Sequence, residues 1–290
     1  MILVDKNTRY CIQGITGKQG TRACETMLAA GSNVVAGVTP GKGGQYVHGV
    51  PVYNSMNEVD VDCTVIYVPP RFAKAAMVEA IEAGVKLIVV VTENVPVHDT
   101  AYCYALAQQY GARIIGPSSV GVYSVGASKC GSIASGKSQI SFSPGPVGII
   151  SRSGGMCSET ALGLTQAGIG QSTVVGIGSD IITGSTMLDI LKLFEADDDT
   201  KVVVLYGEIG GDMEENVARH IKEHGYSKPV VAFIAGKFAS QFEDISLGHA
   251  GAIIEGDSGK WETKVKLLKE AGVHVVHVHH DIVGKVKELL

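Results

Sequence analysis

Arg9-Tyr10-Cys11-Ile12-Gln13-Gly14-Ile15-Thr16-Gly17-Lys18-Gln19-Gly20 is the stretch that decides the fold. Its first five residues suit a buried strand. The next seven put glycine at 14, 17 and 20, directly before a helical segment. Without Cβ atoms, these turns let backbone N–H groups approach a phosphate at the positive end of the helix. The spacing is G-x-x-G-x-x-G rather than the dinucleotide fingerprint G-x-G-x-x-G. The second strand ends at Gly37 with no acidic side chain to hold a ribose 2′-hydroxyl, which argues against NAD and an NAD-dependent oxidoreductase.

The second strand runs instead into Val38-Thr39-Pro40-Gly41-Lys42-Gly43-Gly44, a glycine loop presenting one cation. Beside the first turn it suits a ligand with several phosphates, such as the 3′-phospho-ADP of coenzyme A. Val68-Pro69-Pro70 and Val91-Thr92-Glu93, at the ends of two further strands, complete such a cleft.

Working outward, strands are expected over residues 9–13, 33–37, 64–68, 87–91 and 113–115, with helices between most of them. This is an α/β, Rossmann-like domain over residues 1–121. Residues 122–145 are rich in Ser, Gly and Lys and contain Ser143-Pro144-Gly145-Pro146, so they are expected to form a linker, with room for a hairpin. A second alternation fills 146–290, with strands over 147–151, 202–206, 230–234 and 273–278. Helices are expected over 155–167, 185–194, 214–224, 260–271 and 281–290. This half reads as flavodoxin-like, and in both halves ligands belong at the carboxyl ends of the parallel strands.

The 290 residues suit two domains, each able to bury its own core. A net charge of -5 gives no reason to expect nucleic acid or an anionic membrane as partner. Six cysteines at 11, 24, 63, 103, 130 and 157 form no Cys-x-x-Cys pair and read as reduced core residues. With no signal-like N-terminus and no membrane-length apolar run, a cytoplasmic location is expected.

The chemistry concentrates in the second half. His249 sits in Leu247-Gly248-His249-Ala250-Gly251-Ala252, flanked by small residues, and Gly207-Glu208-Ile209-Gly210-Gly211 offers a carboxylate that could reach it. A carboxylate on one ring nitrogen fixes the tautomer and leaves the other nitrogen as a nucleophile. Ser151-Arg152-Ser153-Gly154-Gly155-Met156, again strand, turn and helix, makes a place for an anion, and a phosphoryl group carried by His249 is expected to rest there. His220-Ile221-Lys222-Glu223-His224 matches a zinc-peptidase pattern but lies in a charged helix without an apparent third ligand. His274, His277, His279 and His280 crowd the last strand, where alternation would put His277 and His279 on one face. No metal site is assigned to either group.

Taken in order, residues 14–20, 38–44, 151–154, 207–211 and 248–252 resemble the α subunit of succinyl-CoA synthetase (succinate–CoA ligase) over essentially the whole chain. The resemblance implies that Thr16, Gly17, Lys18, Gln19, Lys42, Val91, Thr92 and Glu93 bind coenzyme A. It implies that His249 is transiently phosphorylated, that Glu208 orients it, and that Ser153, Gly154 and Gly155 hold its phosphate. It also implies a β subunit with an ATP-grasp domain that binds Mg²⁺ and ATP or GTP, in an αβ or α2β2 heteromer of the tricarboxylic acid cycle. Succinate or a related carboxylic acid would be the substrate.

Some positions depart from succinate-specific members. Gly116-Pro117-Ser118-Ser119-Val120-Gly121 stands where those read Gly-Pro-Asn-Cys-Pro-Gly, and Ser158 stands where they carry tyrosine before a glutamate. The 241–246 approach to the histidine is longer and less basic. Gly154-Gly155-Met156 and Gly184-Ser185-Thr186 resemble ATP-citrate lyase and citryl-CoA synthetase, so a larger acid, with Ser158 contacting it, is the alternative. A non-catalytic CoA-binding regulatory protein is the alternative of another class.

Overall fold

A computed structural model describes residues 1–241, 249–254 and 259–290. The first domain contains β1 (Arg9–Gln13), α1 (Lys18–Ala29), β2 (Asn33–Val38), β3 (Tyr46–Val47), β4 (Val50–Tyr53), β5 (Cys63–Ile66), α2 (Pro70–Glu82), β6 (Leu87–Val90), α3 (Val97–Tyr110) and β7 (Arg113–Ile115). The second contains β8 (Gly121–Ser124), β9 (Ser128–Cys130), β10 (Pro144–Ser151), α4 (Gly154–Gln166), β11 (Gln171–Gly176), α5 (Met187–Glu195), β12 (Val202–Glu208), α6 (Met213–His224), β13 (Val230–Ala235), α7 (Trp261–Glu270), β14 (His274–Val276) and α8 (Asp281–Leu289).

The first sheet runs β3-β4-β2-β1-β5-β6-β7, parallel except where β3 meets β4. Leaving out the edge strand β3, this is the dinucleotide-domain order 3-2-1-4-5-6, and its switch point lies between β1 and β5. The second runs β14-β13-β12-β10-β11-β8-β9. Its parallel part is the flavodoxin order 2-1-3-4-5, with the switch point between β10 and β12. The whole is α/β with a Rossmann-like domain followed by a flavodoxin-like one.

Burial explains the elements. β6 and β12 are buried along their full length, as expected for central strands covered on both faces. α1 buries Gly20, Ala23, Cys24 and Met27, one helical stripe. α5 buries Met187, Ile190, Leu191 and Phe194, and Thr186 and Asp189 cap it reciprocally, with the Asp189 N–H donating to Thr186 Oγ1 at 3.2 Å and the Thr186 N–H to Asp189 Oδ2 at 2.8 Å.

The stretch expected as a linker carries the hairpin β8–β9, which adds antiparallel to β11 and so extends the second sheet. It also reaches back to the first domain. Tyr10 and Ser128 hydroxyls lie 2.6 Å apart, and the Cys63 and Cys130 sulfurs are in contact at 3.4 Å. All six cysteines are free and buried, and burial pushes the Cys11 and Cys157 thiols up to about 12. No helix among the described residues is long and apolar enough to cross a membrane.

Candidate functional site

At the first switch point the glycine turn follows β1. Gly14 has φ +81°, and its N–H donates to Val38 O at 2.7 Å, which pins the turn to the end of β2. A Cβ on Gly20 would stand 2.2 Å from the Gly14 carbonyl oxygen, so α1 can start this close to β1 only with glycine there. Gly17 precedes α1 without a side-chain cap, which leaves first-turn N–H groups facing outward.

A cavity of about 590 Å³ opens here, lined by Thr16, Gly17, Thr39, Pro40 and Phe72 among others. A neighbouring cavity of about 520 Å³ is lined by Gln19, Val91, Thr92 and Glu93, and the two share Tyr67, Val68 and Pro69. The Thr92 hydroxyl donates to Val68 O at 2.7 Å and joins the two strand ends. Six of the eight residues expected to bind coenzyme A therefore line one continuous cleft. Lys18 and Lys42 are exposed and outside its lining. Sequence reading missed Asn54, whose Oδ1 accepts from Gly41 N and Gly43 N at 2.9 and 3.0 Å and so shapes the Lys42 loop.

At the second switch point Glu208 ends β12 and Arg152 follows β10. Glu208 Oε2 lies 2.5 Å from Nδ1 of His249, and Glu208 Oε1 lies 3.2 Å from Nε of Arg152. The Arg152 contact is off the hydrogen-bonding direction, so it is an ion pair rather than a hydrogen bond. Arg152, 2% exposed, also donates to Gly210 O at 2.9 Å and Gly251 O at 3.3 Å, joining the glutamate turn to the histidine loop. Sequence reading assigns Arg152 no role, because its partners stand 56 and more residues away and spacing cannot reveal them.

With Nδ1 engaged by Glu208, Nε2 is the ring nitrogen left for a second partner. The side chain is 36% exposed and edges a pocket of about 170 Å³ lined with Glu208, Ile209, Gly236, Phe238 and Ala252. Ser153, Gly154 and Gly155 follow Arg152 directly and form the start of α4. Ser153 offers no side-chain cap, and a Cβ at Gly155 would meet nothing within 4 Å, so this helix end is open. Gly154 is required by packing, since a Cβ there would stand 2.3 Å from Val120 Cγ1. Ser158 is half-buried one turn further on. Of the segment approaching the histidine, residues 242–248 lie outside the described ones.

Between the two sites, Asp180 accepts from the Ser118 hydroxyl at 2.8 Å, and the Gly251 N–H donates to the neighbouring Ser179 O at 2.9 Å. Burial raises the Asp180 carboxyl above its usual range, while the Ser118 bond acts in the opposite sense. The histidines near the last strand do not share a face. β14 ends at Val276, so alternation stops before them: His277 packs on Trp261, while His279 meets Thr160 Oγ1 at 2.9 Å and the rings of Tyr206 and Phe233.

Residues 5–94 match the CoA binding domain family and residues 150–281 the CoA-ligase family. A chain carrying both on these two folds is a subunit of an acid–thiol ligase. It is 48% identical to the succinate–CoA ligase [ADP-forming] subunit alpha 1 of Archaeoglobus fulgidus, over 100% of this chain and 98% of that one. The chain belongs to the family of succinate–CoA ligase α subunits.

It is also 37% identical to the ADP-forming sulfoacetate-CoA ligase subunit SqwL of an Acholeplasma species, over 100% of this chain and 98% of that one. Among solved structures it is similar to Methanosaeta concilii ATP citrate lyase in complex with (3S)-citryl-CoA, with TM-score 0.92 and 26% identity. That match covers 99% of this chain and 50% of the lyase chain, so this protein spans half the lyase's length.

Proposed function

We propose that this chain is the α subunit of an ADP-forming succinate–CoA ligase in which His249 carries the phosphoryl group. The observation that carries the reading is the 2.5 Å approach of Glu208 Oε2 to His249 Nδ1 at a switch point of the second sheet.

Glu208 accepts a hydrogen bond from Nδ1–H, holds the ring in one tautomer and leaves the Nε2 lone pair free. Nε2 attacks the γ-phosphorus of a nucleotide held with Mg²⁺ by an ATP-grasp β subunit, and the departing group is ADP. Gly154 and Gly155, in the first turn of α4, steady the phosphoryl oxygens with N–H groups that have no intrahelical acceptor. A substrate carboxylate then attacks phosphorus, breaks the N–P bond and becomes an acyl phosphate. The thiol of coenzyme A, bound through Thr16, Gly17, Gln19, Val91, Thr92 and Glu93 with Lys18 and Lys42 beside its phosphates, attacks that carbonyl. Thioester forms, orthophosphate leaves, and the thiol proton passes to solvent or phosphate.

Each transfer is reversible, and the helix end and the Glu208–Arg152 pair are in place before any charge moves. Phe238, 61% exposed and lining the pocket of the histidine, is the apolar edge that the β subunit covers, shielding phosphohistidine from water. The thiols are free and buried, and cytoplasm is the compartment we assign.

A larger acid is the second reading. It is favoured by the likeness to the citryl-CoA-bound lyase and by Ser158 one turn into α4, where a small side chain leaves room. The test is CoA-dependent ADP release by the chain co-expressed with its β subunit, over succinate, malate, citrate, tartrate and sulfoacetate. Succinate is expected to dominate, with an acid-labile, base-stable phosphoryl label on His249 that His249→Ala removes. Turnover surviving His249→Ala overturns the mechanism. Binding of coenzyme A without turnover on any acid would return the chain to a regulatory role.

A further inference from the structure

Beneath the turn that carries Glu208 lies a buried ion cluster that the phosphoryl-transfer steps do not use. Lys264 on α7 is wholly buried. Its Nζ donates to Glu214 Oε2, to Glu215 Oε2 at 2.8 Å and to the Gly211 carbonyl at 2.9 Å. The remaining carboxylate oxygens face the site. Glu214 Oε1 accepts from the Glu208 N–H at 3.0 Å, and Glu215 Oε1 from the Gly259 N–H at 2.9 Å.

The turn is thus gripped at both ends, through the N–H of Glu208 and the carbonyl of Gly211. It is joined to the histidine-bearing loop as well, because the Gly210 N–H donates to Gly259 O at 2.8 Å and the Gly211 N–H to Ile253 O at 3.1 Å. Gly207 fits the same purpose: a Cβ there would lie 2.5 Å from Glu214 Oε1 and push the carboxylate away from the turn.

Stability alone does not call for three charges in this place. An apolar set of similar volume commonly folds as well or better, because desolvating the ions offsets their attraction. What the ions supply is direction. Each carboxylate has one oxygen on the ammonium and the other on a backbone N–H of the site, so the helix starts and the turn cannot shift independently.

We propose that Lys264, with Glu214, is a positioning residue for phosphoryl transfer: it sets the 207–211 turn so that the Glu208 carboxylate meets His249. This rests on the reading of His249 as the phosphorylated residue. Lys264 touches no reacting atom and acts only through Glu208.

The test is a double-mutant cycle on single-turnover phosphohistidine formation in the complex with the β subunit. Its members are wild type, Glu208→Gln, the clamp variant Lys264→Met/Glu214→Leu, and the combination of all three substitutions. The clamp variant removes one positive and one negative charge, so the buried net charge is unchanged. It is expected to form phosphohistidine at least tenfold more slowly, with KM for the nucleotide and Kd for coenzyme A unchanged. The combined variant is expected to be no slower than Glu208→Gln, because misplacing a carboxylate that is absent has no further effect.

A clamp variant at wild-type rate overturns the proposal, and so do losses that multiply in the combined variant, since a merely structural role adds independently. Should the clamp variant fail to assemble, Glu214→Gln goes through the same cycle and is judged by the same two outcomes. Absence of label on His249 in wild type defeats the underlying functional reading instead, and is seen before any variant is compared.

Discussion

Arg152 Nε stands 3.2 Å from Glu208 Oε1, and the other oxygen of that carboxylate stands 2.5 Å from the His249 ring. One glutamate thus sits between a buried arginine and a partly exposed histidine. The guanidinium neutralises a carboxylate that is only 8% exposed, and its two remaining arms tie the loops of both neighbours together. Glu208 is thus held by Arg152 on one oxygen while the other stays free to accept a hydrogen bond from the His249 ring.

Arg152→Met leaves that carboxylate buried without its cation and two carbonyls without a donor. The expected cost is about 3–5 kcal/mol, the usual penalty for breaking a buried pair on one side. Arg152→Met/Glu208→Gln is expected to recover at least half of it, because no charge is left stranded, yet to remain slow in forming phosphohistidine. Urea melts and single-turnover labelling of wild type and the two variants check both statements. Equal stability of the two variants would show that the pair is solvated.

Gly20→Ala puts a methyl group 2.2 Å from the Gly14 carbonyl oxygen, a backbone atom that has no rotamer to escape into. Moving the start of α1 outward is expected to cost about 1–3 kcal/mol and to lower coenzyme A affinity at least tenfold, since the turn N–H groups move with it. Calorimetric titration with coenzyme A, alongside a thermal melt, measures both. Unchanged affinity would place the ligand's phosphates elsewhere.

Lys129 supplies the pH prediction. It is wholly buried, donates to Ile133 O at 2.9 Å, and burial lowers its ammonium to about 8 from 10.5. Between those values the unfolded chain holds a proton that the folded chain has lost, so stability from this group rises as pH increases from about 8 to 10.5 and is flat below. The rise amounts to about 3 kcal/mol. It is expected in the difference between wild type and Lys129→Met, where the raised cysteines and tyrosines cancel. Parallel stability curves over that range would rule it out.

The strands with the strongest patterns were legible. Residues 9–13 and 113–115 match β1 and β7, and the helices of the second domain fall within a residue or two of their expected bounds. β11 was not seen, because Gln171, Ser172 and Thr173 open it with polar side chains. They are buried all the same, with Gln171 Nε2 donating to Ala161 O at 3.1 Å and the Ser172 and Thr200 hydroxyls 2.6 Å apart. The β3–β4 hairpin was too short for periodicity to register. Its turn, His48 and Gly49 with φ of 49° and 83°, is of the kind that tight hairpins favour.

By itself the sequence determined most of the strands and helices, the glycine turns at 14–20, the glycine-rich helix start after Ser151, and a histidine among residues too small to screen it. These are local properties, set by side-chain size, backbone freedom and alternation within a few residues. The tertiary structure alone decided which charges meet. It brought Arg152 to Glu208 across 56 residues, Glu208 to His249 across 41, and Lys264 beneath them both. The reason is that strand order in a parallel sheet differs from chain order. β10 and β12 become neighbours only when the chain crosses over twice, and an ion pair buried between their ends leaves no trace in the spacing of its members.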